Sequence, residues 1–310
     1  MLKHKSCVLS TGFFQRTLAI RRNNTSSRLV SKGLCNNKGL WETNGNERKQ
    51  KFAMTEELQE QTNLFNKNEI RNILLLGPPG SGKSIYGNLL SKHFSAPIIS
   101  SGNIIRAFHQ TVSVSSEKSQ THHISNCLAS GRMVDDDIVV NLVSQEYSSI
   151  VEVSNCKMVL WDGFPRTVKQ AALISFDCIL KINLPEDILI AKILGRRVCN
   201  KCARNYNLCT INDEKREIVM PSMAPTNGDL SRCDDCEDGT LTQRLDDNYE
   251  TIVKRLKVFR DETEPIEEHY MKQLDWFQLI DFHIKTGVND IPKMIDSINQ
   301  VIYSLPRKNS

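Results

Sequence analysis

The chain has 310 residues and a mass of 35.3 kDa, and its 39% apolar and 25% charged residues are ordinary for a folded protein with a sizeable core. The net charge of +4 is uneven, because residues 1–55 carry 11 Lys and Arg against two Glu and the remainder is mildly acidic. This balance argues against a general nucleic-acid-binding surface. The longest apolar runs have four residues, whereas a membrane-spanning helix needs about 20.

The first 41 residues contain no Asp or Glu and are rich in Ser, Thr, Asn and spaced basic residues. This composition is typical of an organelle transit peptide. We therefore predict a transit peptide or disordered leader over 1–54 and a linker over 55–70. The expected location is the mitochondrial matrix. A plastid-type organelle is the alternative, or the cytoplasm if the basic segment carries no address.

From residue 71 onward, short apolar runs alternate with segments of helical periodicity. The predicted strands are 72–76, 97–100, 158–161, 178–183 and 277–282. The predicted helices are 83–94, 104–109, 124–129, 136–147, 185–196, 247–271 and 291–305. This alternation predicts an α/β fold with a mainly parallel sheet covered on both faces. The polar, turn-rich segment 199–242 interrupts the pattern as an insertion between two core helices.

A glycine-rich motif, GPPGSGKS at residues 77–84, lies between the first strand and the first helix. It fits the pattern of a phosphate-binding loop, and its strand–loop–helix context fits as well. Glycines let backbone N–H groups turn toward phosphate oxygens at a helix N-terminus. Lys83 would then reach the β- and γ-phosphates, and the Ser84 hydroxyl could contact Mg²⁺. The complete pattern disfavours the simpler interpretation of a Gly/Pro turn.

Several arginines follow predicted strands or border the insertion. Arg166 belongs to the sequence DGFPRT at 162–167, in which Asp162 ends a strand and can hold the water shell of a metal. Taken singly, each arginine is best interpreted as a solvated surface residue. Together they lie where an α/β sheet forms its ligand crevice. The others of this set are Arg106, Arg196, Arg244 and Arg255.

These motifs resemble those of the adenylate kinases, which are nucleoside monophosphate kinases, over about residues 71–305. The most specific of them is DGFPRT. The resemblance implies an α/β P-loop kinase fold, a three-layer sandwich with a parallel sheet, an inserted monophosphate-binding lobe and a zinc-type lid. The implied core is 71–99, 135–195 and 245–305, the lobe 100–134 and the lid 196–243. The spacing of this lid is most similar to that of adenylate kinases from plant organelles and some protists.

The resemblance implies a monomeric enzyme that transfers a phosphoryl group from Mg·ATP to AMP, giving two ADP, without a nucleic-acid or membrane partner. The implied ATP-binding residues are Gly80, Ser81, Gly82, Lys83, Ser84, Ile85, Arg196, Asn205 and Tyr206. The implied AMP-binding residues are Ser101, Arg106, Arg132, Met133, Val134, Gly163, Phe164, Pro165, Arg166, Gln170, Arg244 and Arg255. The implied catalytic residues are Lys83, Arg166, Arg196, Arg244 and Arg255, with Asp162 near Mg²⁺.

Departures from the family pattern leave the choice of nucleotides open. Ser84 and Ile85 stand where Gly-Thr is usual, and Lys192 stands where a nucleotide-contacting arginine is common. Lysine keeps the charge but lacks the planar fork of arginine. A kinase that uses GTP, or one that acts on another monophosphate, is the alternative. An inactive relative that only binds nucleotides is another, and a P-loop ATPase with a zinc ribbon that binds nucleic acid is more remote.

Two Cys-x-x-Cys pairs lie in the insertion, separated by 30 residues. Four thiolates can close a tetrahedral site around Zn²⁺, and such a site is structural because no coordination position stays open. The alternatives are reduced thiols or labile disulfides. Cys209 is a weaker candidate because it lacks a partner at this spacing. The predicted zinc ligands are Cys199, Cys202, Cys233 and Cys236.

Overall fold

The computed structural model describes residue 65 and residues 70–112, 118–273 and 278–305. The predicted leader lies outside these residues, as does most of the predicted linker. The strands, in chain order, are β1 Arg71–Leu76, β2 Ile98–Ser100, β3 Met158–Asp162, β4 Cys178–Asn183, β5 Arg196–Cys199, β6 Asn205–Asn207, β7 Ile211–Asp213, β8 Ile218–Met220, β9 Leu241–Thr242 and β10 Gln278–His283.

The α-helices are α1 Lys83–Phe94, α2 Ser101–Val112, α3 Lys118–Ser130, α4 Asp136–Val153, α5 Val168–Ala171, α6 Glu186–Leu194, α7 Tyr249–Val258, α8 Pro265–Gln273 and α9 Ile291–Ser304. A π-helical turn, Phe259–Thr263, separates α7 from α8, and a 3₁₀ turn, Gly287–Asp290, precedes α9. Within the described residues no helix combines the length and the apolar character needed to cross a bilayer.

Five strands form a parallel sheet in the order β10-β4-β1-β3-β2. Successive residues of β1 point to opposite faces, so Ile73 and Leu75 pack in one buried cluster and Leu74 and Leu76 in another. A strand covered on both faces needs such an unbroken apolar run. The predicted α/β fold with a parallel sheet between two layers of helices is confirmed.

A buried aromatic cluster extends the core beyond the predicted start of the domain. Phe65, which we placed in the linker, has no exposed surface, and its ring meets those of Tyr147 and Trp161 edge-on at 5.7 and 5.6 Å. Trp161 also donates from Nε1 to Asn72 Oδ1 over 3.0 Å, which satisfies the indole in the interior. Residues before the first strand therefore contribute to core packing.

Several helices differ from their predicted lengths: those predicted at 104–109, 124–129 and 136–147 are longer, and two others end or change within the predicted range. The predicted helix 247–271 is broken by the π-helical turn, where the Thr263 hydroxyl donates to the Arg166 carbonyl over 2.9 Å. This bond joins residues far apart in sequence, so helical periodicity could not have revealed it. The predicted helix 185–196 ends at Leu194, and Arg196 begins β5 instead.

The insertion is more ordered than its polar sequence suggests. Strands β6-β5-β9 form a small antiparallel sheet beside the cysteine pairs, and β7 and β8 form a separate hairpin. Ile218 and Met220 of this hairpin are 4% and 1% exposed and belong to the core cluster that includes Ile73. The segment 196–243 therefore contains one part around the cysteines and one part packed on the core.

Candidate active site

The carboxyl ends of β1, β2 and β3 lie side by side, because Asp162 is in register with both Leu75 and Ser100. Asp162 is 5% exposed, and it accepts hydrogen bonds from the Ser84 hydroxyl at 2.7 Å and the Ser100 hydroxyl at 3.3 Å. This edge of a parallel sheet is where α/β proteins bind ligands. A buried carboxylate and two hydroxyl groups therefore meet beside the glycine-rich loop.

The glycine-rich loop has a backbone that favours glycine. Gly80 and Gly82 have φ angles of +87° and +91°, and a Cβ on Gly80 would lie 2.8 Å from the Leu189 carbonyl oxygen. The loop leads into α1, whose first residue is Lys83 and whose N-terminal amides favour a bound anion. The Lys83 ammonium donates to the carbonyls of Gly77 and Pro78 at 2.5 and 2.9 Å.

Two cavities adjoin this loop, with volumes of about 170 and 140 Å³. The smaller one, here called the donor cavity, lies over the loop and reaches the insertion. The larger one, the acceptor cavity, extends toward α2, α3 and α7. Both are lined by the same four cationic side chains: Lys83, Arg106, Arg166 and Arg255. Two ligands placed in them would therefore meet at a common positively charged centre.

Most of the predicted site residues line one of these cavities. On the donor side are Gly80, Gly82, Ser84, Ile85, Asp162, Arg196, Asn205, Tyr206 and Arg244. On the acceptor side are Ser101, Arg132, Met133, Val134, Gly163, Pro165 and Gln170. Ser81 and Phe164 line neither cavity and have no exposed surface. Arg244, expected among the AMP-binding residues, lines the donor cavity and donates to Asn205 Oδ1 over 3.2 Å.

The cationic side chains are crowded and partly removed from water. The pKa of Lys83 is lowered to about 8, chiefly by desolvation; the charge of Asp162 opposes this shift, and the positive charges of three arginines add to it. Desolvation, followed by the charges of Arg196 and Arg106, lowers the pKa of Arg244 to about 9. Desolvation also lowers the pKa of Arg166. Phosphate groups would relieve this accumulation of positive charge, so the cleft favours anionic ligands.

Two adjacent carboxylates orient the arginines, and our sequence analysis did not assign them. Asp247 is 2% exposed and holds Arg196 through both carboxylate oxygens, with Nε at 2.8 Å from Oδ2. Asp246 accepts from Arg255 over 2.8 Å. Such forked bonds fix the plane of a guanidinium as well as its position. The sequence feature that could have revealed them is the pair of adjacent aspartates that begins two residues after Arg244.

The acceptor cavity is organised by a second polar network. The Gln170 side chain accepts from the Arg166 amide at 2.8 Å and donates to Asp136 Oδ1 at 2.7 Å. The Ser101 hydroxyl donates to the Gly163 carbonyl over 2.5 Å. These bonds hold the segment 163–170 against α2 and α4. The role of Asp136 was also missed, because it lies 34 residues from its partner.

The four predicted cysteine ligands come together in the insertion. Their Sγ atoms all lie within 4.8 Å of one another, and those of Cys202 and Cys233 are 3.6 Å apart. Around a tetrahedral Zn²⁺ with Zn–S of about 2.3 Å, the sulfurs would be about 3.8 Å apart. A Cβ on Gly239 would lie 2.7 Å from Cys199 Sγ, so glycine allows the close approach. Cys209 is outside this group.

Tyr206 connects the cysteine group to the donor cavity. Its hydroxyl lies 3.3 Å from Cys233 Sγ and accepts from the Asp234 amide over 2.8 Å. The residue is 3% exposed and also lines the donor cavity. Its hydroxyl is therefore engaged with the cysteine group rather than directed at a ligand.

Comparison with known proteins agrees with this geometry. A family model described as adenylate kinase matches residues 75–275. A probable chloroplastic adenylate kinase 1 of Oryza sativa subsp. japonica is 32% identical over 243 residues, covering 74% of this chain and 77% of the relative. A GTP:AMP phosphotransferase of Plasmodium falciparum is 32% identical over 223 residues, covering 70% and 91%. The adenylate kinase of Clostridium tetani is 34% identical over 209 residues, covering 64% and 86%. The chain belongs to the adenylate kinase family, and it is a nucleoside monophosphate kinase.

Proposed function

We propose that the protein catalyses the reversible, Mg²⁺-dependent transfer of the γ-phosphoryl group from ATP to AMP, giving two molecules of ADP. The observation that supports this most directly is the shared lining of the donor and acceptor cavities. An ATPase needs one nucleotide site, whereas two sites that meet at one cationic centre suit transfer between two nucleotides. Phosphoryl transfer depends mainly on positioning and positive charge, and both are features of this cleft.

In this proposal, the loop from Gly80 to Ile85 holds the donor phosphates, with Arg196 and Arg244 above them. Asn205 and Tyr206 lie against the donor's base or ribose. AMP occupies the acceptor cavity, where Ser101, Arg106, the segments 132–134 and 163–166 and Gln170 contact it. Lys83, Arg166 and Arg255 then neutralise the charge of the phosphoryl group during transfer.

We also propose the lobe boundaries given above, with residues 100–134 binding the monophosphate and 196–243 forming the lid. Water competes with AMP for the same phosphoryl group, so the cleft has to close before transfer. Closure of the lid over both nucleotides would exclude water. The protein is proposed to act as a monomer, without a nucleic-acid partner.

The donor cavity has residues suited to the Mg²⁺ that accompanies ATP. Asp162 and the Ser84 hydroxyl are 2.7 Å apart and both line it, and oxygen atoms of this kind are the ligands that Mg²⁺ prefers. We propose that Asp162 holds the water shell of the ion and that Ser84 lies beside it. The ion would neutralise phosphate charge during transfer.

The cysteine group fits a structural Zn²⁺. Besides the spacing of the sulfurs, the amides of Lys201 and Asp235 each donate to a sulfur at 3.4 Å, which would stabilise thiolate charge. We propose that Cys199, Cys202, Cys233 and Cys236 bind Zn²⁺ and that the metal supports a lid with little apolar core. Structural zinc contributes about 10–16 kcal/mol of apparent binding free energy in small domains.

For the leader, which lies outside the described residues, we propose organelle import. The composition supports this, and the rice relative is named chloroplastic. The mitochondrial matrix is our first choice and a plastid-type organelle the alternative. A fluorescent protein fused after residue 54 should enter the organelle, and it should stay in the cytoplasm when residues 1–54 are removed.

The activity is tested by measuring ADP formation from Mg·ATP with and without AMP. We expect ADP only when AMP is present, and we expect tight binding of a bisubstrate mimic that joins two adenosines through five phosphates. Arg166→Ala should lower kcat by about 10³-fold or more, since one arginine at the transferred phosphate can contribute that much. Arg260→Ala is the matched control, because Arg260 is half exposed and pairs with Glu186 outside the cleft.

The alternatives give different results in the same assay. A better rate with GTP than with ATP, or with a monophosphate other than AMP, would favour one of the other nucleotide kinases. ATP hydrolysis without AMP that responds to DNA or RNA would favour the nucleic-acid-dependent ATPase. A protein that binds the mimic but forms no ADP would be an inactive relative, and the proposed reaction would be wrong.

A further inference from the structure

The cysteine group and the donor cavity are built on the same pair of strands. Strand β5 begins at Arg196, which lines the donor cavity, and it ends at Cys199. Strand β6 follows after a turn that contains Cys202, and its residues 205–207 all line the same cavity. The two strands pair in antiparallel register. The first cysteine pair therefore lies at one end of this strand pair, and the other end forms a wall of the donor cavity.

The second cysteine pair is connected to this wall through Tyr206. The Tyr206 hydroxyl accepts from the Asp234 amide at 2.8 Å, and its oxygen lies 3.3 Å from Cys233 Sγ. Because the oxygen already accepts from the amide, the hydroxyl hydrogen is available for the sulfur. The tyrosine is 3% exposed, so these contacts lie in the interior of the insertion. Tyr206 thus contacts the second cysteine pair and lines the donor cavity.

Arg204, the residue before β6, adds a second connection. Its guanidinium carbon lies 4.9 Å from the centre of the Tyr206 ring, and the same group pairs with Asp234 at 3.6 Å and with Asp235. Both aspartates belong to the loop that carries the second cysteine pair. The Arg204 side chain is 42% exposed, so we expect these ion pairs to hold the loop less firmly than the buried contacts of Tyr206 do.

A Zn²⁺ ion would fix the two cysteine pairs relative to each other. Bonds to all four sulfurs would hold Cys233 against the strand pair, and the two atoms that the Tyr206 hydroxyl contacts belong to Cys233 and to the residue after it. Without the metal, weaker hydrogen bonds and partly exposed ion pairs connect the two cysteine pairs. The partners of Tyr206 could then shift, and its side chain would lose its fixed position at the donor cavity.

The acceptor cavity lacks such a connection. Among the described residues that line it, none belongs to the insertion 196–243. Its polar network instead joins α2 and α4 to the segment 163–170. An effect of the metal that passes through Tyr206 should therefore reach the donor and leave the acceptor unchanged. The two cavities of one molecule thus provide an internal comparison.

We propose that binding of Zn²⁺ to the cysteine group is energetically coupled to binding of the donor nucleotide, and that Tyr206 is the positioning residue that carries this coupling. The inference rests on the proposed function in one respect, because it places the donor in the cavity that Tyr206 lines. Coupling between two binding events is reciprocal. Zinc therefore tightens donor binding by a given factor, and the donor tightens zinc binding by the same factor.

The test measures nucleotide binding by the full chain with and without zinc. One sample is loaded with Zn²⁺, and the other is stripped by a chelator under reducing conditions and then separated from the chelator. Elemental analysis gives the metal content, and circular dichroism shows that both samples are folded. Calorimetry then gives the Kd of Mg·ATP and the Kd of AMP. Removal of zinc should weaken Mg·ATP binding about tenfold and change AMP binding less than about twofold.

The reciprocal effect is measured with a metallochromic dye that competes with the chain for Zn²⁺. Saturating Mg·ATP should lower the Kd of the chain for zinc by the same factor, about tenfold, whereas AMP should leave it unchanged. A titration of the dye with Mg·ATP alone corrects for the zinc that the nucleotide itself binds. This readout does not depend on turnover.

The variant Tyr206→Phe separates this coupling from a general loosening of the insertion. It keeps the ring and removes the hydroxyl, so the zinc-loaded variant should bind Mg·ATP nearly as weakly as the stripped unmodified chain. Stripping it should then change donor affinity less than about threefold. Tyr249→Phe is the matched control, because Tyr249 is 60% exposed at the start of α7, and this variant should keep the full dependence on zinc.

Equal Kd values for Mg·ATP in the loaded and stripped chains would overturn the inference, and so would a chain that takes up no Zn²⁺. An undiminished dependence on zinc in Tyr206→Phe would show that the metal acts by general loosening and that Tyr206 does not carry the coupling. The proposed function is judged separately, by AMP-dependent ADP formation. If the coupling is found but no ADP forms, the inference is supported and the proposed reaction is wrong.

Discussion

The substitution Asp247→Asn tests whether the acidic pair positions the arginines that we propose to act in phosphoryl transfer. Asparagine keeps the size of the side chain but removes the negative charge that faces Arg196 and, at 3.7 Å, Arg255. One amide oxygen cannot accept both of the bonds that Arg196 now makes to two carboxylate oxygens. We therefore expect Arg196 to lose its fixed orientation toward the donor phosphates.

The magnitude follows from burial. The Asp247 side chain has no exposed surface, whereas that of Arg196 is 19% exposed. Breaking a fully buried pair by removing one partner costs about 3–5 kcal/mol. Because Arg196 can still reach water, a loss of about 2–3 kcal/mol is more reasonable. If most of this lost free energy is a loss of transition-state stabilisation, kcat falls by about 30- to 150-fold.

The assay is ADP formation from Mg·ATP and AMP at saturating concentrations of both, with circular dichroism to show that the variant is folded. Asp261→Asn is the matched control, since Asp261 pairs with Lys257 at the surface and such pairs contribute about 0–1 kcal/mol. A kcat for Asp247→Asn within about threefold of the control would refute the view that Asp247 positions Arg196.

Three other predictions concern the lid, the cleft and the core. Gly239→Ala should lower the Zn²⁺ content found by elemental analysis and make the lid sensitive to protease, and chelation of the unmodified chain should loosen the lid before the core melts. Arg244→Met should raise the melting temperature while lowering kcat, because removing one buried cation relieves roughly 1–2 kcal/mol of desolvation and of repulsion from the neighbouring arginines. Phe65→Ala should reduce the free energy of unfolding by about 3–5 kcal/mol in denaturant titration, since it empties a buried aromatic site.

The main elements of the fold could be predicted because their signals are local. The apolar run of β1, the glycines after it and Lys83 follow one another in the sequence, and each has its own physical reason. The same applies to the run from Asp162 to Arg166 at the end of β3. Such motifs also placed most candidate site residues on the cleft, although their individual roles remain proposals.

The features that could not be predicted depend on contacts between distant residues. Arg196 and Asp247 are 51 residues apart and meet only because the chain returns to its starting point after the insertion. The bond from the Thr263 hydroxyl to the Arg166 carbonyl also joins residues 97 positions apart, although Pro265, just after the π-helical turn, was a local signal for a break in the helix. Likewise, the apolar run Ile218–Met220 indicates burial of this strand, but the surface on which Met220 packs is formed by residues distant in sequence.

The acidic pair at 246–247 also gives a physical reason why a long insertion does not displace the arginines of the cleft. Arg196 is the first residue of the predicted lid, and Asp247 follows its last strand, so their buried bond ties both ends of the insertion at one point. Residues between these ends can be added without moving either arginine from the cleft. The hairpin segment 207–223 lies between these ends, beside the donor cavity rather than at the shared cationic centre. We therefore expect substitutions on the exposed side of this segment to lower kcat less than substitutions of the cationic residues at that centre.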